Sequence, residues 1–90
     1  RFLGFLPLKK GRQTLLKSLK DKDYTAIIYE SPHRIEKTLS ELAATFGWEY
    51  QICLARELTK IHETYHRDTL ENLQKEAKKG VFRGEIVIIF

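Results

Sequence analysis

Ninety residues suffice for one domain with a hydrophobic core and leave little chain for an independent second lobe. A composition of 42% hydrophobic and 31% charged residues excludes a disordered tail, and no apolar run approaches the roughly 18 residues that a membrane span needs. One cysteine, Cys53, rules out an internal disulfide framework and a cysteine-rich zinc site, while 16 basic against 12 acidic residues give a net charge of +4 that favours polyanionic partners.

Phe2 to Leu6 is a short apolar run stopped by Pro7, and it reads as a strand. Gly11 to Lys20 carries Leu15, Leu16 and Leu19 on one face with lysines turned away, which predicts a short amphipathic helix. After a polar turn at Asp21 to Asp23, Thr25 to Tyr29 is almost uninterruptedly apolar, as a central strand should be. Ser31 is expected to cap the next helix, with Pro32 at its first position, where no amide is needed. Ile35, Leu39, Leu42, Ala43 and Phe46 then recur at helical spacing, and Gly47 stands where helices stop. Tyr50 to Arg56 predicts a strand in which Cys53 is a small buried side chain. Glu63 to Arg67 is a more polar strand. Thr69 caps a helix with Leu70, Leu73 and Ala77 on its apolar face, ended by Gly80, and Glu85 to Phe90 is the last strand. Two strands follow one another without a helix between them. The pattern therefore predicts an α/β sandwich with a mixed β-sheet and about three helices.

One motif invites a metal. His62-Glu63-Thr64-Tyr65-His66 spells H-E-x-x-H, which on a helix would turn two imidazoles toward one zinc ion. The flanking residues favour a strand, in which the two histidines would lie about 13 Å apart, too far to share an ion. A zinc site is not expected. No glycine-rich phosphate loop occurs, so most of any nucleotide cradle must come from outside these residues. Lys9, Lys10 and Arg12 cluster at a predicted helix start, either as an anion site or as a solvated basic turn. Tyr29-Glu30-Ser31-Pro32-His33-Arg34 lies where a central strand meets a helix, and in open α/β sheets ligands bind beyond the carboxyl ends of strands. Ala55-Arg56-Glu57-Leu58-Thr59-Lys60 leaves a second strand in the same manner, and Arg56 and Glu57 either line a site or simply pair.

Taken together, Gly4-Phe5-Leu6-Pro7 with Lys10-Gly11-Arg12, the segment from Tyr29 to Arg34, the segment from Ala55 to Lys60 with Glu63, and Gly84-Glu85 resemble the rRNA 2′-O-ribose methyltransferase family of the tetrapyrrole-methylase superfamily. The resemblance covers nearly all 90 residues and implies the second, C-terminal domain of a two-domain S-adenosylmethionine-dependent enzyme of the cytoplasm. The N-terminal domain of the same protein would supply the rest of the cofactor cleft, and a homodimer is compatible with it. It implies that Tyr29, Glu30, Ala55, Arg56 and Gly84 line that cleft. It also implies that Lys9, Lys10, Arg12, Arg34, Arg56 and Lys60 face RNA of the small ribosomal subunit. The residue that removes the acceptor proton stays open, with Glu30 and Glu57 as candidates. A corrin or porphyrin-precursor methyltransferase domain and a non-catalytic nucleic-acid-binding module are the competing readings.

Overall fold

In the computed structural model, residues 1–57 and 63–90 are described. Five strands and three helices alternate as β1 (Phe2–Phe5), α1 (Arg12–Ser18), β2 (Ile27–Glu30), α2 (Ile35–Phe46), β3 (Gln51–Arg56), β4 (Thr64–Thr69), α3 (Leu70–Lys78) and β5 (Ile86–Ile89). The sheet order is β1-β2-β5-β3-β4. β1 and β2 are parallel, as a strand–helix–strand unit requires, and β5 inserts antiparallel between β2 and β3. β4 pairs antiparallel with the free side of β3. The sheet is thus mixed, and the domain is α/β.

Strand alternation decides which residues meet the helices. Ile28, Leu54, Ile86 and Ile88 are at most 1% exposed and join Leu16 and Leu19, Leu39 and Leu42, and Leu70 and Leu73 in one core. The opposite face of the sheet carries the row Phe5, Tyr29, Val87, Ala55 and Tyr65, in strand order. Phe5, Tyr29 and Tyr65 on that row are exposed, as is neighbouring Phe2, and Tyr29 packs against both phenylalanines at ring-centroid distances of 5.1 and 5.3 Å. The helices therefore cover one face and leave an aromatic face open.

The α2 start differs from expectation. Ser31 to Arg34 form a turn, closed by the Arg34 amide donating to the Ser31 carbonyl at 3.1 Å, and the helix begins only at Ile35. The Ser31 amide is taken by the Glu30 carboxylate at 2.8 Å, and the Ser31 hydroxyl is buried without a partner instead of capping. The expected stop is observed: Gly47 follows α2 and its amide donates back to the Ala43 carbonyl at 2.7 Å. Thr64 to Thr69 is strand, so the His66 end of the H-E-x-x-H pattern is not helical, and His62 lies outside the described residues. No cluster of three metal-ligating side chains occurs among the described residues.

At the β4–α3 junction the Thr69 hydroxyl accepts from the Asn72 amide at 3.2 Å, and Asp68 accepts from the Thr69 amide and the Asn72 side chain at 2.7 and 2.9 Å. Those bonds, the one from Asn72 first, hold the Asp68 carboxyl below its ordinary pKa. Thr69→Ala is expected to lower the unfolding free energy by about 1 kcal/mol in urea titration. A group whose pKa is depressed on folding stabilises above its unfolded value and loses that contribution as pH falls through the folded one. The stability gap between the native chain and Asp68→Asn should accordingly close as acid titrates Asp68.

Candidate functional site

β1, β2 and β3 run in the same direction, so their carboxyl ends share one rim of the sheet. β5 enters from that rim, and the register sets Glu30, Ile86, Arg56 and Thr64 side by side across four strands. The Glu57 amide donates to the Glu85 carbonyl at 2.9 Å, and the Arg56 guanidinium donates through Nε and Nη2 to the Arg83 carbonyl at 3.1 and 2.9 Å. These bonds fasten the turn before β5 to the end of β3. Gly84, at φ +75°, sits in that turn, and a Cβ there would come 1.7 Å from Glu57 Oε1. The left-handed backbone favours glycine there, and any side chain would displace the Glu57 carboxylate, whose own backbone is left-handed at φ +54°.

Tyr29, Glu30, Arg34, Ala55, Arg56 and Gly84, all singled out from sequence, therefore gather at this rim with the turn that carries Lys9 and Lys10 after β1. Their accessibility differs sharply. Tyr29 is 42% exposed, Gly84 is exposed, Arg34 and Arg56 are half-buried, but Ala55 has no exposed surface and shapes the floor between Val87 and Tyr65. Glu30 is 5% exposed and both its oxygens are engaged. Oε1 accepts from the Ser31 amide and lies 3.3 Å from Arg34 Nε; Oε2 accepts from the Thr38 hydroxyl. Glu57, half-exposed beside Gly84, is the more accessible of the two carboxylates. Lys60 lies outside the described residues.

Arg12 requires a correction. Expected to face phosphate, it is 4% exposed and points into the protein. Its Nε donates to Glu41 Oε1 and Oε2 at 3.0 and 3.2 Å, and Nη2 reaches Oε1 at 2.6 Å and the Thr38 hydroxyl at 2.9 Å. Nη1 donates to the Pro7 carbonyl at 3.0 Å. The hydrogen bond to Glu41, against the opposing cost of burial, raises the guanidinium pKa above its ordinary value. The reason was present in the spacing: Arg12 stands four residues before Leu16 and seven before Leu19, on the buried stripe of α1. At the start of α1 the Arg12 amide donates to the Lys9 carbonyl at 3.1 Å. Lys9 and Lys10 remain exposed, with no ion-pair partner among the described residues.

Two members of this buried network carry no motif in the sequence. Thr38 is fully buried, and its hydroxyl accepts from Arg12 while donating to Glu30. Glu41 holds Arg12 and accepts from Gln13 Nε2 at 3.1 Å. The signal for Thr38 was its place three residues after Ile35 on the apolar stripe of α2, where a polar side chain needs a buried partner. A hollow lined by Thr25, Gln51, Cys53, Tyr65, Arg67 and Phe90 lies on the open face, with Tyr65 the lining residue that pairs with Ala55.

No family model matches the chain. It is 44% identical over 91 residues to the ribosomal RNA small subunit methyltransferase I of Haemophilus influenzae and 40% identical over 89 residues to that of Synechocystis, matching 98% of its own length in each case. The Thermotoga maritima protein of the same name is 35% identical over 88 residues. The chain spans about a third of the length of these relatives: 32% of the first two and 39% of the last. Among solved structures, the cobalamin biosynthetic enzyme cobalt precorrin-4 methyltransferase superimposes with a TM-score of 0.74 over 99% of this chain and 39% of its own, at 16% identity. That likeness establishes the fold.

The burial of Arg12 and the exposure of the lysines separate their expected effects. Arg12→Met leaves the Glu41 carboxylate, itself 15% exposed, without its cation and should cost about 3 kcal/mol of stability in a urea titration. Lys9→Glu with Lys10→Glu should change stability by about 0.5 kcal/mol or less. A silent Arg12→Met would contradict the network.

Proposed function

We propose, on the premise that a chain so similar to ribosomal RNA small subunit methyltransferases across nearly its whole length shares their chemistry, that it is one domain of an S-adenosylmethionine-dependent methyltransferase acting on small-subunit ribosomal RNA. The methyl acceptor on this reading is a ribose 2′-hydroxyl, and such a substrate assigns the enzyme to the cytoplasm. The other half of the cofactor cleft belongs to the portion of the relatives that this chain does not span. The observation that carries the reading is one sheet rim on which Lys9, Lys10, Arg34 and Arg56 stand beside strand ends that hold unpaired buried hydroxyls. A polyphosphate chain and a polar small molecule are the two ligands such a rim suits.

The residues fit an adenosyl group. The Ser31 hydroxyl after β2 and the Thr64 hydroxyl at the start of β4 are both buried without partners among the described residues, and a ribose or a base edge would supply them. Ser31, Tyr29 and the Gly84 turn would hold the group, which when bound supplies an electrophilic methyl on a sulfonium. The chain's own work is positioning, since bringing acceptor and donor into line converts an encounter between molecules into a step within one complex. Lys9 and Lys10 would hold RNA phosphates, and Arg34 and Arg56 would orient the nucleotide nearest the cleft. Of the two candidate carboxylates, we assign the hydroxyl proton to Glu57, a choice supported by Glu30 already accepting from Ser31 and Thr38.

The intact protein should transfer labelled methyl from S-adenosylmethionine to unmodified small ribosomal subunits, and the 90 residues alone should give no turnover. Lys9→Glu with Lys10→Glu should weaken RNA binding and reduce the log–log salt slope by about 0.7 to 0.9 for each lost phosphate contact. Replacing Arg34 and Arg56 together should depress turnover even at saturating RNA. Wild-type turnover in that double variant would remove both from the site, and an intact protein that methylates a tetrapyrrole but not RNA would overturn the reading.

A further inference from the structure

The turn after β1 and the turn after β2 belong to different segments, yet both are fastened to one hydroxyl. Arg12 ties the first turn down: its Nη1 holds the Pro7 carbonyl, its amide closes onto the Lys9 carbonyl, and its Nη2 reaches Thr38 Oγ1 at 2.9 Å. Glu30 ties the second: its carboxylate holds the Ser31 amide and pairs with Arg34, and it accepts the Thr38 proton. Thr38 thus stands between a guanidinium and a carboxylate as acceptor from one and donor to the other, near the start of α2 and fully buried. No other described side chain bonds to both Arg12 and Glu30.

We propose that Thr38 is a positioning residue that sets the Lys9–Lys10 turn and the Ser31–Arg34 turn relative to each other. On the reading above, it aligns bound RNA with the methyl donor without touching either. Glu41 assists on one side only, because its bonds go to Arg12 and Gln13 and none to Glu30. The isosteric Thr38→Val removes the hydroxyl and keeps the shape, leaving Glu30 and Arg12 each short of a partner. Thr38→Ser keeps the hydroxyl.

The test is amide hydrogen exchange on the intact protein, with methyl-transfer kinetics on small subunits at a temperature where every variant is folded. Thr38→Val is expected to speed exchange about tenfold at both residues 9–12 and residues 31–34. It should also raise KM for RNA and lower kcat, with Thr38→Ser restoring all three. Glu41→Gln is expected to loosen residues 9–12 alone, and Thr38→Ala carries the test of coupling if Thr38→Val does not fold. Unchanged exchange at either turn in Thr38→Val would overturn the coupling. Faster exchange with native KM and kcat would leave Thr38 a purely structural residue and overturn the positioning role. A native protein with no RNA methylation sinks the functional reading and with it the positioning role, whereas the exchange pattern separately decides whether the two turns are coupled.

Discussion

A strand inserted between two others must satisfy its backbone on both sides, and that requirement on β5 organises the rest of the domain. Ile86 to Ile89 pair antiparallel with β2 on one side, and Ile86 to Ile89 pair with β3 on the other. Because the partners run opposite to β5, the turn that delivers it opens onto the carboxyl ends of both. A parallel β5 would have brought its preceding turn to the far edge of the sheet, and Gly84 would have no relation to Glu30 or Arg56. The reversed direction of β5 therefore assembles the rim. The two bonds from Arg56 to the Arg83 carbonyl and the bond from Glu57 to Glu85 secure what the topology brings close.

The second constraint is electrostatic. Burying a guanidinium is costly unless its donors are met, and Arg12 meets that condition with Glu41, Thr38 and the Pro7 carbonyl. Bidentate pairing with Glu41 offsets the desolvation that burial imposes and holds the Arg12 pKa above its ordinary value. A cation that sequence proximity groups with Lys9 and Lys10 belongs by its physics to the interior.

The fold was largely legible because apolar periodicity and caps report on local geometry. Thr69 ahead of Leu70, Gly47 after Phe46, and the run from Ile86 to Phe90 each occupy the role that their chemistry predicts. The misreadings arose where a side chain's partner is distant in sequence. Ser31 looked like a cap, but whether it caps depends on Glu30, whose carboxylate claims the Ser31 amide and turns on Thr38 eight residues away. Arg12 looked like a surface cation because its partner Glu41 lies 29 residues on. Thr38 was passed over because a lone threonine in an apolar stripe carries no motif. Alternation within strands settles which face a residue occupies, and only the assembled tertiary structure settles what it meets there.

The open aromatic face bears on how the chain behaves in bulk solution. Phe2, Phe5, Tyr29 and Tyr65 present apolar surface that water solvates poorly, and what keeps such surfaces apart is mutual repulsion between like-charged molecules. That repulsion comes from a net charge of +4 at neutral pH and vanishes near the isoelectric point of about 9.3. Colloidal stability is then set by buffer as much as by fold: these 90 residues should be most soluble in mildly acidic solution at low salt, and least soluble in alkaline buffer or when added salt screens the charge.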